Sequence, residues 1–553
     1  MTRRRVRGWR CAATGAAFGA ALLANVPAMA QNIGSFRDAG KGAVDYRQIV
    51  AEARQDCGSL GGLVPTVEGT RLTVLRADTV PATPSVPAFC RVVGLLDPEV
   101  LIEVALPLRW NGRVYMRGNG GYAGERIDAP NRVALRDEAL RQGFVAVQTN
   151  TGHDAVAQPL GSFAQNNMAK LVDYSFRAIH LTTQAAKDLS AAFYGSKPAR
   201  AYFDGCSTGG RQGLMSAQRY PNDFDGIAAG APVLDFTGTM YDYVSYAPAV
   251  SKANFTGEQL AQLGRTIVAH CDAADGLKDG LISDPRRCEF NPRADLPRCP
   301  ATQGGVCFSD AQIAALQEFH GGMQHRGRTV FPAWPWGSEA PDASGVSGWA
   351  EWIVSLPPAA PPPGSPTASV AQALPPGETR QSAYAQSFLR YFADQPASKT
   401  DADWRTFNLD EGYRRSSFIG QMLDARSPDL LAFKAHGGKM VTYHGWADPA
   451  LNPMMSIGYY EDAQRATPQL VDTYRLFMVP GMQHCGGGNA PNVLDPVTTV
   501  IDWVEGNRPP ASMVAVQQKP DGSVQRSRPV CPYPQEARYQ GGDPDQAASF
   551  ACR

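Results

Sequence analysis

The pentapeptide Gly205-Cys206-Ser207-Thr208-Gly209 sets the Ser207 hydroxyl midway between two glycines, each two residues away. Glycines at that spacing let a strand turn sharply into a helix, with backbone packed close on both sides of a Ser held in a strained conformation. Such a Ser is a nucleophile for acyl transfer only if an imidazole takes its proton and a carboxylate fixes and steadies that imidazole. A Ser capping an ordinary strand-to-helix turn has the same local sequence, so the partners decide. Asp448 closes His444-Gly445-Trp446-Ala447-Asp448, and His484 lies in Pro480-Gly481-Met482-Gln483-His484-Cys485; each stretch follows a strand-like run. The chain order Ser207, Asp448, His484 is the one in which a sheet with such a turn presents its triad. Five of the eight histidines (His180, His270, His320, His325 and His436) sit in helical, cap or unmarked loop contexts. His153 and His444 lie near strand ends and are rivals. His484 is preferred as the base because it follows the last strong strand, and His444 is read as lining the pocket.

A tetrahedral intermediate needs two donors aimed at its oxygen, each worth roughly 3–4 kcal/mol of barrier. The N–H of Thr208, next after the nucleophile, is one. The glycine-rich loop Gly118-Asn119-Gly120-Gly121 after an early strand should supply the other, although a plain tight turn would also use glycine. Cys206 and Cys485 adjoin the proposed nucleophile and base, 279 residues apart (485 − 206). A bridge between them would pin Ser207 beside His484; two unrelated buried thiols are the alternative. Asp272, Asp275 and Asp279 place three carboxylates in eight residues. They repel unless solvated or neutralised by a hard cation such as Ca²⁺, which suits oxygen ligands; the spacing is not that of an EF-hand.

Strands are expected at residues 100–107, 113–117, 144–149 and 201–204, then again at 439–443 and 474–479, from their alternating or continuous apolar runs. Residues 170–193 carry a helical apolar period, a helix starts near Gly209, and 498–505 reads as a last helix. Strands alternating with helices imply a largely parallel sheet. The alternation fails from 235 to 425, where four cysteines, a Pro-rich run from Pro357 to Pro366 and Trp334, Trp336, Trp349 and Trp352 occur. That region is read as an inserted cap. The expected organisation is therefore a leader at 1–30, a first core segment at 31–234, the cap at 235–425 and a second core segment at 426–553.

The leader reading rests on Arg3, Arg4, Arg5, Arg7 and Arg10, a short Ala- and Leu-rich stretch, and Ala28-Met29-Ala30. The apolar run is too short and Gly-rich to anchor comfortably in a bilayer, so export to the periplasm or medium is expected. Cys11 leaves with the leader, and the other ten of eleven cysteines can form five disulfides in an oxidising compartment. A zinc site is disfavoured because no Cys-x-x-Cys pair occurs. Lys plus Arg equals Asp plus Glu at 52 each, so the chain lacks the footprint of a nucleic-acid or membrane-surface binder. A small molecule is the expected partner.

Gly-Cys-Ser-Thr-Gly-Gly-Arg at 205–211, His-Gly-Trp-Ala-Asp at 444–448 and Pro-Gly-Met-Gln-His-Cys at 480–485 resemble the tannase and feruloyl esterase family, which includes mono(2-hydroxyethyl) terephthalate hydrolases. The resemblance runs from about Cys57 to Cys552. It implies an α/β-hydrolase core with a large inserted cap, and the triad Ser207, Asp448 and His484. It places Gly121 in the oxyanion hole and pairs Cys206 with Cys485, Cys57 with Cys90, Cys271 with Cys288, Cys299 with Cys307, and Cys531 with Cys552. It also implies a structural Ca²⁺ held by Asp272, Asp275, Asp279 and the carbonyls of Leu277 and Leu281, and Trp352 in the acyl-group pocket. In the terephthalate-ester enzymes it implies a carboxylate-binding Arg on the cap. An ungapped match puts Thr379 there, with Arg380 one residue on. The expected activity is hydrolysis of aromatic-acid esters through an acyl-enzyme, with a neutral, hydroxylated ring favoured over a terephthalate monoester. Gallate esters and terephthalate monoesters are the nearest alternatives, and a non-catalytic binder of aromatic glycosides is the alternative of another class.

Overall fold

The computed structural model describes residues 35–63, 66–300, 305–342, 347–356, 378–519 and 521–553. The expected leader and the Pro-rich run lie outside the described residues. Ten strands form one sheet: β1 (Thr66–Val67), β2 (Thr70–Val80), β3 (Phe89–Leu96), β4 (Val100–Pro107), β5 (Arg113–Arg117), β6 (Val145–Thr149), β7 (Arg200–Cys206), β8 (Gly226–Gly230), β9 (Lys439–Gly445) and β10 (Tyr474–Val479). Their spatial order is β10-β9-β8-β7-β5-β6-β4-β3-β2-β1. From β10 to β6 every neighbouring pair is parallel; from β6 to β1 every pair is antiparallel.

The parallel half explains its own sequence. Strands covered on both faces need apolar residues at every position, and β6, β8 and nearly all of β9 are buried along their length. Helices α1 (Pro130–Arg141) and α2 (Ala178–Tyr194) follow β5 and β6, α3 (Thr208–Arg219) follows β7, and α4 (Phe236–Ala253) opens the cap. One sheet face is closed by Ala139 and Leu140 of α1 and by Val497, Ile501 and Trp503 of the last helix, Pro496–Gly506. The other face is closed by α2 and α3. Cap residues Leu260, Ile313, Phe319, Trp349 and Phe388 belong to the same buried apolar cluster as that second face. The cap is thus fused to the core's packing rather than carrying a separate core.

Each expected strand forms within a residue or two of its expected limits. The expected helix at 170–193 is Met168–Val172 and α2, joined by a five-residue π-helical segment, Asp173–Arg177. The cap, where the strand–helix alternation fails, contains α4 and further helices, among them Gly257–Cys271, Asp310–Phe319 and Arg380–Tyr391, and a two-stranded sheet of Met323–His325 with Arg328–Phe331. All five disulfides implied by the resemblance are formed. Among the described residues no helix is long and apolar enough to cross a membrane.

Candidate active site

Ser207 sits at the C-terminal end of β7, where chain order in the sheet reverses and open α/β sheets place their sites. Its backbone has φ 63° and ψ −121°, a conformation an L-residue adopts only when its surroundings impose it. Here they do. The Ser207 N–H donates to Gly230 O at 3.0 Å, and Ser207 O accepts from Arg211 N at 3.0 Å. A β-carbon on Gly205 would lie 2.7 Å from the Gly209 carbonyl carbon, and one on Gly209 would lie 3.0 Å from Asn119 O. Both glycines of the pentapeptide are therefore needed for close approach. Cys206 and Thr208 are buried while Ser207 between them is partly open.

Asp448 is fully buried in the turn after β9. Its Oδ1 accepts the N–H groups of Ala450 (2.8 Å) and Leu451 (2.9 Å), and its Oδ2 meets Nδ1 of His484 at 2.8 Å. Burial alone would raise the Asp448 carboxyl. The charge of His484 and hydrogen bonds from His444 and His484 overcome it and hold the group well below the usual carboxylate range. The turns bearing acid and base are zipped together, with Trp446 N donating to Val479 O (2.9 Å) and Ala447 N to Met482 O (3.1 Å). The Cys206–Cys485 bridge, with Cα atoms 6.0 Å apart, ties the residue before Ser207 to the residue after His484. The three expected triad residues are thus brought to one place.

Thr208 and Gly121 are in direct contact, and among the described residues neither backbone amide donates to an acceptor. Two hydroxyls fix the loop from behind: Tyr174 Oη (3.2 Å) and Thr208 Oγ1 both donate to Gly121 O. Gly121 has φ 54°.

Trp352 meets the His484 ring edge to face, with centroids 5.2 Å apart at 78°. The Arg380 guanidinium lies 4.5 Å over the Trp352 ring, but it is not free: its Nη1 bonds Glu351 Oε1 at 2.6 Å. His444 departs from expectation. It lines no pocket; it is fully buried, with Nδ1 at 2.8 Å from Ser456 Oγ and Nε2 near Leu451 O (3.1 Å) and Asp448 Oδ2 (3.2 Å). It braces the acid from behind because β9 directs it inward, one residue before the strand ends. The other rival, His153, is stacked 3.7 Å from Phe163, and burial pushes its imidazole down to about 4.

The carboxylates of the acidic loop turn back on its own backbone. Asp272 accepts from the N–H groups of Asp279 (3.1 Å) and Gly280 (3.0 Å), Asp275 from Leu277 (2.9 Å), and Asp279 from Leu281 (3.1 Å). This all-oxygen donor set suits a hard cation. The charge of Asp279 is also balanced by Arg526 (2.8 Å) and Arg528 (2.6 Å), and among the described residues no three acidic, His or Cys side chains already form a metal cluster.

Residues that the motifs did not reveal also hold the site. Thr379 caps the cap helix Arg380–Tyr391, exchanging hydrogen bonds with Ser382. That fixed start aims Gln381 at the acid turn, where its Nε2 donates to Pro449 O (2.9 Å) while its Oε1 accepts from Tyr246 (2.7 Å). Tyr243 donates to Ala450 O. The Thr379-x-x-Ser382 spacing was the only sequence signal for this helix start.

Residues 85–553 match the family model described as tannase and feruloyl esterase. The chain belongs to the tannase and feruloyl esterase family. It is 32% identical over 538 residues to a mono(2-hydroxyethyl) terephthalate hydrolase from Piscinibacter sakaiensis, covering 86% of this chain and 87% of that protein. It is 29% identical to feruloyl esterase B from Aspergillus niger, covering 81% and 83%. Among solved structures, feruloyl esterase B from Aspergillus oryzae superposes with a TM-score of 0.74 at 25% identity, covering 90% of this chain and 99% of that one. The family makes this chain an ester hydrolase with an α/β-hydrolase fold.

Proposed function

We propose that this chain hydrolyses esters of aromatic acids through an acyl-enzyme on Ser207. The observation that carries the reading is the buried Asp448–His484 pair tied to the Ser207 turn by the Cys206–Cys485 bridge. Ser207 Oγ attacks the ester carbonyl carbon as His484 takes its proton, and the alcohol leaves with that proton as the tetrahedral intermediate collapses. Water then attacks the acyl-enzyme with His484 again as base, freeing the aromatic acid. Asp448, held ionised, compensates the imidazolium in both steps. The amides of Gly121 and Thr208 face the developing oxyanion.

Ring esters are favoured over aliphatic ones because Trp352 forms a flat wall against His484. Feruloyl-type substrates come first, with gallate esters and mono(2-hydroxyethyl) terephthalate as the alternatives, all three in keeping with the family and the relatives this chain resembles. We also propose that the 272–281 loop binds a structural Ca²⁺ through Asp272, Asp275, Asp279 and the carbonyls of Leu277 and Leu281, and that the chain is exported. Five disulfides support export. Ser207→Ala tests the mechanism: turnover of methyl ferulate should fall at least about 10⁴-fold with the melting temperature unchanged. A variant retaining substantial turnover would place the nucleophile elsewhere.

A further inference from the structure

Tyr384 lies one helical turn beyond Arg380 on the same cap helix. Its ring is stacked on Tyr122, with centroids 5.1 Å apart at 13°, and lies 6.3 Å from Trp352. Its hydroxyl abuts Gly121: a β-carbon built there would lie only 2.3 Å from the phenol oxygen. The oxygen is thus within about 4 Å of the Gly121 Cα, one bond from an amide proposed to hold the oxyanion. Neighbouring tyrosines use their hydroxyls on the scaffold. Tyr122 donates to Tyr384 O (2.8 Å), Tyr174 to Gly121 O (3.2 Å), Tyr243 to Ala450 O and Tyr246 to Gln381 (2.7 Å). The Tyr384 hydroxyl has no hydrogen-bond partner among the described residues. Tyr384 is half-buried and its hydroxyl is not sealed away, so a bound ligand can reach it and take its hydrogen.

We propose that Tyr384 is a catalytic residue, a third donor that gives its hydroxyl hydrogen bond to the ester carbonyl oxygen as that oxygen becomes an oxyanion. The inference rests on the acyl-enzyme reading above. Burial pushes the phenol up to about 12, so it stays protonated and able to donate throughout the range where His484 works as a base. The donation strengthens as charge develops, so it lowers the barrier more than it tightens substrate binding. It also ties the cap to chemistry. The helix that carries Arg380 against Trp352 and Gln381 against Pro449 then delivers the third donor from the same rigid turn.

Tyr384→Phe keeps the ring and its stack on Tyr122 while removing only the hydroxyl. Steady-state kinetics on methyl ferulate and on an otherwise matched ester lacking the ring hydroxyl should both show kcat reduced about 10–100-fold, with KM changed less than about twofold and melting temperature unchanged. An arylboronic acid, whose tetrahedral Ser207 adduct presents an oxygen in the same place, should bind more weakly by a similar factor, while ferulic acid binds as before. Unchanged kcat would overturn the proposal. So would a rise in KM confined to the hydroxylated ester, which would make Tyr384 a reader of the ring. Ser207→Ala measured alongside separates the two readings. If it retains turnover, the acyl-enzyme reading fails; if it is dead while Tyr384→Phe behaves as wild type, only the third donor fails.

Discussion

At the scale of single residues, the chemistry of this site is set by which charges are cancelled. Asp448 is one buried carboxylate served by four donors: two amides, His484 and His444. Spacing pointed to Asp448 and His484, which the structure pairs, because each lies in the turn after a strand whose apolar run is unmistakable. Spacing could not say which way His444 points, since alternation within a strand buried on both faces no longer separates inside from outside. Arg380 shows the same limit. Its position on the cap was legible, but its ion pair with Glu351 was not, because Glu351 is 29 residues away across the Pro-rich run. That pair bears on specificity. A ring carboxylate gains little from a guanidinium already neutralised, so the wild-type protein should prefer methyl ferulate to mono(2-hydroxyethyl) terephthalate in kcat/KM. Glu351→Gln should release the charge and raise kcat/KM for the terephthalate monoester relative to methyl ferulate by about tenfold, an energy of about 1.4 kcal/mol. Relative rates that do not move would remove Arg380 from the carboxylate question.

At the scale of elements, the sequence revealed strands whose residues are large and apolar and concealed those whose residues are small. β8 reads Gly-Ile-Ala-Ala-Gly, poor in the β-branched and aromatic types that mark strands, yet it is wholly buried. Its smallness is required: a β-carbon on Gly230 would sit 2.4 Å from the Tyr443 ring. The antiparallel strand β2 was missed for the opposite reason, since it is half exposed and rich in polar residues; β3 is apolar and largely buried, and was missed although its composition suits a strand. Within the cap, α4 carries a cost that only the structure shows. Asp242 is completely buried, with Trp334 Nε1 donating to it at 2.7 Å, and burial pushes its carboxyl up to about 8. A buried acid with a raised pKa holds its proton while the unfolded chain, titrating near 4, has lost it. The folded state then binds more protons between about pH 4 and pH 8, so its stability falls as pH rises through that window. Asp242→Asn keeps the acceptor for Trp334 and removes the titration. It should leave the melting temperature near pH 4 almost unchanged and raise it progressively toward pH 8. Parallel melting curves for wild type and variant across this range would refute the argument.

At the scale of the whole molecule, the cap interrupts the sheet between β8 and β9, so parts of the site lie hundreds of residues apart and need ties that do not depend on the local fold. The Cys206–Cys485 bridge is one, joining nucleophile and base turns directly. The acidic loop is another, placed far from Ser207 in function though not in connectivity. Its Asp279 is gripped by Arg526 and Arg528 of the C-terminal strand Val524–Val530, and the carbonyl of Asp275 accepts from Arg538. The loop thus fastens the cap to the last segment of the chain. The two arginines offset part of its charge, and the proposed Ca²⁺ would neutralise the rest through the remaining oxygens. Bound only by the folded state, such an ion adds stability that grows with the logarithm of its concentration over its dissociation constant. Treating the full-length protein with a calcium-selective chelator should therefore lower the melting temperature by several degrees, about 3–4 kcal/mol if the ion was present at 100 to 1,000 times its dissociation constant. Turnover measured well below the transition should hardly change, because the loop touches neither the triad nor Trp352. Restored Ca²⁺ should recover the lost stability, and Mg²⁺ should do so less well because it holds its own waters and demands a tighter octahedral site. If purified protein contains no calcium and the melt is indifferent to chelation, the arginines alone balance the loop.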